Sequence, residues 1–190
     1  VRAETLEREL AERGALLSGH FRLSSGRHSD RFVQKFRILE DPEIVEKVAA
    51  ALAASAQAYA PNIVVSAAVG GIVLGYEVAR QLGTKAIFVE KEDGAPALRR
   101  GFALGPGDRA CVVEDVVTTG GSVREVLAVV RARGAQPVCV AAIVRRQPVD
   151  FGVPTFALLD LPVTSYDPAA CPQCANGEPI DEPGSRFLHA

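Results

Sequence analysis

Apolar positions along this chain recur in two periods, and the alternation between them lays out the elements. Leu6 and Leu10 stand four apart among charged residues in 3–13, with Gly14 following, which predicts an amphipathic surface helix closed by a glycine. The stretch FRLSSGRHSDRFVQKFRIL (21–39) alternates apolar and polar residues on both sides of a Ser/Gly-rich centre, predicting two short strands and a turn. Asp41-Pro42 then supplies an N-cap and a first-turn proline for a helix running to about Tyr59, ahead of Pro61. From there the order is regular. NIVVSA (62–67) is a β-branched strand, AVGG (68–71) a turn, and GIVLGYEVARQLG (71–83) a helix ending at Gly83. KAIFVE (85–90) and CVVE (111–114) are strands, 122–133 is a helix stopped by Gly134, and PVCVAAIV (137–144) and FALLD (156–160) complete the set. Buried strands alternating with helices predict an α/β fold with a mostly parallel central sheet flanked by helices.

One segment breaks the rhythm. EKEDGAPALRRGFALGPGD (90–108) is charged and rich in Gly and Pro, and Asp93-Gly94 favours a tight turn whose flanks can pair as a hairpin. Such a loop is either a surface excursion or a lid over the sheet's carboxyl edge. The 190 residues, 48% of them hydrophobic, suffice for one domain, with an N-terminal hood over about 1–40, a core over about 41–160 and a tail over about 161–190. No apolar run reaches the roughly 18 residues of a membrane span, and the N-terminus is acidic and amphipathic, unlike a signal peptide, so a cytoplasmic location is expected. A net charge of −2 argues against binding a nucleic-acid backbone and leaves small molecules as the expected partners.

The chemistry concentrates in CVVEDVVTTGGSV (111–123). Gly120 and Gly121 can turn several backbone N–H groups toward one point, and Thr118, Thr119 and Ser122 add hydroxyl donors, which makes a nest for a phosphate dianion. Neither G-x-x-x-x-G-K-[ST] nor a strand-borne G-x-G-x-x-G is present, which disfavours a P-loop NTPase or a Rossmann enzyme. Glu114 and Asp115 would repel a phosphate unless they serve another part of the ligand, and carboxylates accept hydrogen bonds from vicinal hydroxyls or help hold a hydrated divalent cation. A ribose 5-phosphate offers both ends. The plainer alternative is that Asp115 caps a turn and the glycines only permit it.

This pattern, an apolar strand, two acids, two apolar residues and Thr-x-Gly-x-Ser, resembles the phosphoribosyl pyrophosphate (PRPP) motif of the type I phosphoribosyltransferases. Further stretches are similar to the orotate phosphoribosyltransferase branch: FRLSSGRHSDRFVQ to its hood, SAAVGGIVLG to its pyrophosphate loop, EKEDGAPALRRGF to its mobile loop and IVRRQ to its base-recognising strand. The resemblance implies the type I fold and transfer of the phosphoribosyl group of PRPP to orotate, giving orotidine 5'-monophosphate and pyrophosphate. It also implies Mg²⁺ carried mainly through PRPP, and a homodimer in which the mobile loop completes the partner's site. Glu114 and Asp115 would then hold the ribose hydroxyls, Val116, Val117, Thr118, Thr119, Gly120, Gly121 and Ser122 the 5-phosphate loop, and Ala68, Val69, Gly70 and Gly71 the pyrophosphate. Lys91 and Asp115 would be catalytic, with Arg99 or Arg100 as further loop cations. Orotate would meet Arg146, Thr118, Ser25, Gly26 and Phe32, with Val33 beside them. A purine base such as xanthine, or a non-catalytic PRPP sensor, is the competing reading on the same core.

Departures from the branch fall on the cations. Glu90 stands where a basic residue usually precedes the loop lysine, and Gly70 and Ser24 stand where many relatives have Lys. Lys91 and the Arg99-Arg100 pair have a solvated surface role as their alternative, and Arg145 competes with Arg146 for the base. Cys111 and Cys139 lie in apolar runs, as small hydrophobes do. Cys171 and Cys174 have the spacing of half a zinc site, but the nearest further ligand in sequence is the terminal His189, so a structural tail loop without metal is expected. His28 reads as a turn residue and His20 carries no signal.

Overall fold

The amphipathic segment at the N-terminus forms helix α1 (Ala3–Glu12), with Leu6 and Leu10 fully buried. The computed structural model describes residues 2–23 and 25–183. Its described residues divide into two compact units, one of Leu39–Leu161 and one combining Arg2–Ile38 with 162–183.

After α1 come strands β1 (Leu16–Arg22) and β2 (His28–Val33), an antiparallel hairpin with a register shift between Ser18 and Phe21. The predicted alternation over 21–39 is displaced. The first strand starts earlier, and the residues after Val33 coil into the short helix α2 (Phe36–Leu39) instead of extending a strand. The Gln34 N–H donates to the Ala15 carbonyl and closes the ladder, and the following turn buries Ile38 while leaving Phe36 exposed.

Helix α3 (Pro42–Ala56) starts as its sequence dictates: the Asp41 carboxylate accepts from the N–H groups of Glu43 and Ile44 at 3.0 and 3.4 Å, with Pro42 in the first turn. It gives way to a 3-10 turn at Gln57–Tyr59. Then follow β3 (Ile63–Ala67), α4 (Gly70–Leu82), β4 (Lys85–Glu92), β5 (Ala95–Leu98), β6 (Arg109–Val117), α5 (Gly121–Ala132), β7 (Gln136–Arg145) and β8 (Thr155–Asp160). They build one six-stranded sheet in the order β5-β4-β3-β6-β7-β8, parallel except for the β4–β5 hairpin. β6 is longer than its apolar run suggested. Pairing with β7 continues through Val116 opposite Val144 and Val117 opposite Arg145, so the strand runs past its predicted end at Glu114 and takes in Asp115 as well. Backbone pairing is indifferent to the two acids that interrupt the apolar pattern.

Gly75 sets how closely α4 sits on the sheet, because a Cβ there would lie 2.8 Å from Ser66 Oγ and 3.0 Å from Ser66 Cβ. The core between α5 and the sheet gathers Val65, Val112, Val126, Leu127, Val130 and Val140, all at most 1% exposed. In the other unit, β9 (Ser165–Tyr166) pairs with β2 to make a three-stranded sheet, and α6 (Pro172–Ala175) follows a 3-10 turn that Asp167 caps.

Candidate active site

From β3 the chain passes to β4 on one side and returns through β6 on the other, so β3 and β6 are neighbours whose connections leave in opposite directions. Open α/β sheets bind ligands at such a switch point, beyond the carboxyl ends of the strands. Two loops meet that description here, 68–69 between β3 and α4 and 118–120 between β6 and α5.

The second loop is a nest. Gly120 has φ 81° and precedes the first turn of α5, whose N–H groups have no partners within the helix. Only glycine fits there, because a Cβ would sit 2.7 Å from the Phe151 ring in addition to the left-handed strain. Thr118, Thr119 and Ser122 are exposed, and a cleft is lined by Glu114, Val117, Thr118, Gly120, Gly121 and Ser122. Of the paired acids, Glu114 borders this cleft, while Asp115 is 2% exposed and does not. The backbone orients both: the Asp115 N–H donates to Glu114 Oε1 at 3.1 Å, and the Val116 N–H to Asp115 Oδ1 at 2.7 Å.

Across the switch point the Ala68–Val69 peptide is cis, and the Ala68 N–H donates to the Val89 carbonyl at 2.8 Å. Gly70 and Gly71 are buried at the start of α4, whereas Ala68 and Val69 are exposed. A second cleft, lined by Ala68, Glu90, Lys91, Ser122 and Glu125, shares Ser122 with the first, so the expected pyrophosphate loop, the phosphate nest and Lys91 converge on adjoining space.

The loop cations are held by acids. Lys91 Nζ is 2.5 Å from Glu125 Oε1 on α5, and Arg99 is 3.3 Å from Glu92 and 4.0 Å from Glu90. Arg100 makes a two-bond fork to Glu90 at 2.9 and 3.0 Å, which holds the Glu90 carboxyl below its usual range and raises the guanidinium. The acid at position 90 is therefore the anchor of the loop arginines. Glu125 escaped the sequence reading, because a carboxylate on a helix surface has no local signal of its partner.

The two arginines after β7 differ in the same way. Arg145 gives both fork nitrogens to Asp160 at 2.6 and 3.0 Å. Arg146 is half-buried; among the described residues its guanidinium has no ion-pair or hydrogen-bond partner, and burial pushes its pKa down. The Arg146 N–H donates to the Val117 carbonyl at 2.9 Å, seating the residue where β6 turns into the nest.

A family model for the phosphoribosyl transferase domain matches residues 36–148. The chain belongs to this family. The matched span holds β3 to β7 and both loops at the switch point, so the phosphoribosyltransferase core and the clefts just described coincide. Over its length the chain is similar to proteins named orotate phosphoribosyltransferase: 50% identity to that of Thermotoga petrophila over 94% of this chain and 97% of the relative, and 51% to that of Heliobacterium modesticaldum over 90% and 92%. Among solved structures, the orotate phosphoribosyltransferase of Aeropyrum pernix superposes with a TM-score of 0.68 at 27% identity, covering 80% of this chain and 92% of that one.

The remaining expected site residues of this phosphoribosyltransferase lie in the other unit. Ser25 and Gly26 form the turn between β1 and β2, with Gly26 at φ 80° and its N–H donating to the Leu23 carbonyl at 2.8 Å. Phe32 packs on Phe21 with ring centroids 5.8 Å apart, and Val33 ends β2. Ser24 and His189 lie outside the described residues. His28 is not in the turn: it opens β2 and is buried, directly opposite Arg22. No helix among the described residues is long and apolar enough to cross a membrane.

Proposed function

We infer that this phosphoribosyltransferase acts on orotate: N1 of orotate attacks the anomeric carbon of PRPP, the bond from that carbon to the pyrophosphate oxygen breaks, and orotidine 5'-monophosphate forms. The observation that carries the choice of base is the contrast between the two arginines. Orotate is a planar carboxylic acid, and Arg146 is a half-buried planar fork with no partner among the described residues, next to the nest, while Arg145 is spent on Asp160. A partly desolvated guanidinium gains most from a carboxylate ligand. A neutral purine would leave it unpaired.

The residues divide the donor between them. Backbone N–H groups of 118–122 with the Thr118, Thr119 and Ser122 hydroxyls bind the 5-phosphate, Glu114 and Asp115 take the ribose hydroxyls, and 68–71 with Lys91 receive the pyrophosphate. The N1 proton of orotate leaves to solvent or to the departing pyrophosphate as the N1–C bond forms, so the protein's task is to position two anions and neutralise a third. Mg²⁺ bound with PRPP would stabilise the leaving pyrophosphate; Glu114 and Asp115 are hard oxygen donors that suit it, and they would hold it through its water shell.

A homodimer with the 90–108 loop reaching the partner's site is part of this reading. Val69, Val73 and Tyr76 supply support, because they are 73%, 48% and 67% exposed and follow helical spacing at the start of α4. A cytoplasmic setting accords with four free cysteines.

The test is turnover of PRPP and Mg²⁺ with orotate, xanthine and adenine, each followed by its ultraviolet change. Orotate alone should react. Turnover of a purine without orotate would overturn the base assignment, and PRPP binding without any turnover would make the chain a sensor.

A further inference from the structure

The unit built from the two ends of the chain contains a cluster that the transfer reaction does not use. His20 on β1, His28 at the start of β2, Cys171 at the N-cap of α6 and Cys174 within α6 bring their ligand atoms within 4.8 Å of one another. His20 Nε2 is 3.1 Å from His28 Nδ1, 3.5 Å from Cys171 Sγ and 3.6 Å from Cys174 Sγ, and Cys174 Sγ is 3.2 Å from His28 Nδ1. His20, His28 and Cys171 are 4%, 7% and 3% exposed, and both cysteines are free thiols. The Cys-x-x-Cys pair thus meets two histidines of the hairpin about 150 residues earlier.

We propose that these four residues form a structural zinc site that fastens the C-terminal segment to the β1–β2 hairpin. Zinc with two thiolates at about 2.3 Å and two imidazole nitrogens at about 2.0 Å, arranged tetrahedrally, spaces its ligand atoms by about 3.3 to 3.8 Å. Four of the six ligand-atom separations, 3.1 to 3.6 Å, fall in or just below that range, and all six are within 4.8 Å.

The protonation states point the same way. His20 Nδ1 lies 3.0 Å from the Glu178 carbonyl, which accepts its proton and leaves Nε2 as a lone pair aimed inward, the outer-shell arrangement that orients metal-binding imidazoles. His28 Nδ1 faces that lone pair at 3.1 Å. Two ring nitrogens and two sulfurs thus crowd into one buried spot, with neighbouring atoms 3.1 to 3.6 Å apart. With Zn²⁺, two thiolates and two neutral imidazoles sum to zero charge, the condition under which a buried ionic site is tolerated.

Four protein ligands leave no open position, so the site holds structure and takes no part in catalysis. Its neighbours fix the same segments: Gln173 Nε2 donates to the Gly19 carbonyl at 3.1 Å, and the Asp181 N–H to the His20 carbonyl at 2.7 Å. A unit this small, assembled from the two ends of the chain, is the kind that depends on a staple. His20 and His28 also bracket the turn bearing Ser25 and Gly26, so the metal would brace that turn.

The experiment uses the full chain without an affinity tag, expressed with zinc, dialysed, and measured for metal by mass spectrometry. About one zinc per chain is expected. It should fall at least tenfold in Cys171→Ser/Cys174→Ser and in His20→Ala, and persist in Cys139→Ala. Because the ligand variants may misfold, the wild-type chain is also loaded with Co²⁺, which should show the intense visible bands of a tetrahedral centre and thiolate charge-transfer absorption. Substoichiometric zinc together with absent cobalt–thiolate bands would overturn the proposal. So would a Cys171–Cys174 disulfide in the purified protein, or zinc that survives the double cysteine substitution.

Discussion

The Lys91 ammonium donates to the Glu125 carboxylate at 2.5 Å, which ties the loop-proximal end of β4 to the second turn of α5 beside the cleft shared with Ser122. Both side chains are exposed, 56% and 39%, so the pair contributes no more than about 1 kcal/mol and Lys91 can exchange Glu125 for a leaving pyrophosphate at little cost. Lys91→Ala should therefore lower kcat by about tenfold or more, with KM for orotate within about twofold, since one charge on a developing anion is worth a few kcal/mol. Glu125→Gln should leave kcat within about threefold. Steady-state kinetics on both variants checks this, and unchanged turnover in Lys91→Ala would assign that lysine to the surface.

Arg146→Ala should raise KM for orotate by about 100-fold, because an ionic hydrogen-bonded pair in a partly desolvated site is worth roughly 2 to 3 kcal/mol. KM for PRPP should change little. Arg145→Ala, which removes only the fork to the 62%-exposed Asp160, should leave KM for orotate within about twofold. If the two variants exchanged phenotypes, the base would sit on the other arginine.

Asp115→Asn keeps shape and retains an oxygen to accept the Val116 N–H, but it loses the charge and acceptor capacity that a diol requires. PRPP affinity should fall by about tenfold or more while Tm moves by only a few degrees. Calorimetric titration with PRPP, alongside thermal unfolding, separates the two effects. A large loss of Tm with normal affinity would make Asp115 a structural residue.

What could be read from the sequence, and what could not, follows from how local each signal is. β3, β7 and α3 announced themselves because their burial pattern and caps lie in contiguous residues, as with Asp41 reaching Glu43 and Ile44. The nest was equally legible, since Gly120 and its hydroxyl neighbours are consecutive. The extent of β6 was not, because its last pairs depend on β7 and the apolar run stops at Glu114. Partners remote in sequence left no trace: Glu125 for Lys91, Glu90 for Arg100, and His20 and His28 for the cysteines. His20 sits in no motif and His28 only within the hood stretch, where it reads as a turn residue; only the meeting of hairpin and tail gives them this meaning.

The Glu90–Arg100 fork makes the loop's order sensitive to acid. Arg100 holds the folded-state pKa of Glu90 below its unfolded value, so the fork's contribution is fully present above that unfolded value, about 4.3, and is lost as pH falls through the lowered pKa. Amide exchange across 90–100, corrected for its intrinsic pH dependence, should be flat from about pH 6 to 8 and quicken in the acid range below pH 4. Glu90→Gln should show the faster exchange already at neutral pH. An acid-side change that persists unaltered in Glu90→Gln would place the responsible carboxylate elsewhere.

Gly120→Ala tests the nest by two mechanisms at once. An alanine at φ 81° costs about 1 to 2 kcal/mol, and its Cβ would meet Phe151 at 2.7 Å, adding an overpacking cost of about 1 to 3 kcal/mol. Urea unfolding should show the sum, and PRPP binding should weaken by more than tenfold because the backbone N–H groups lose their common focus. Phe151→Leu in the same chain removes the ring but not the dihedral. The double variant should therefore recover part of the stability, with a measurable favourable coupling between the two positions, while PRPP affinity stays low. Full recovery of affinity would mean that crowding by Phe151, and not the left-handed backbone at Gly120, governs the shape of the phosphate nest.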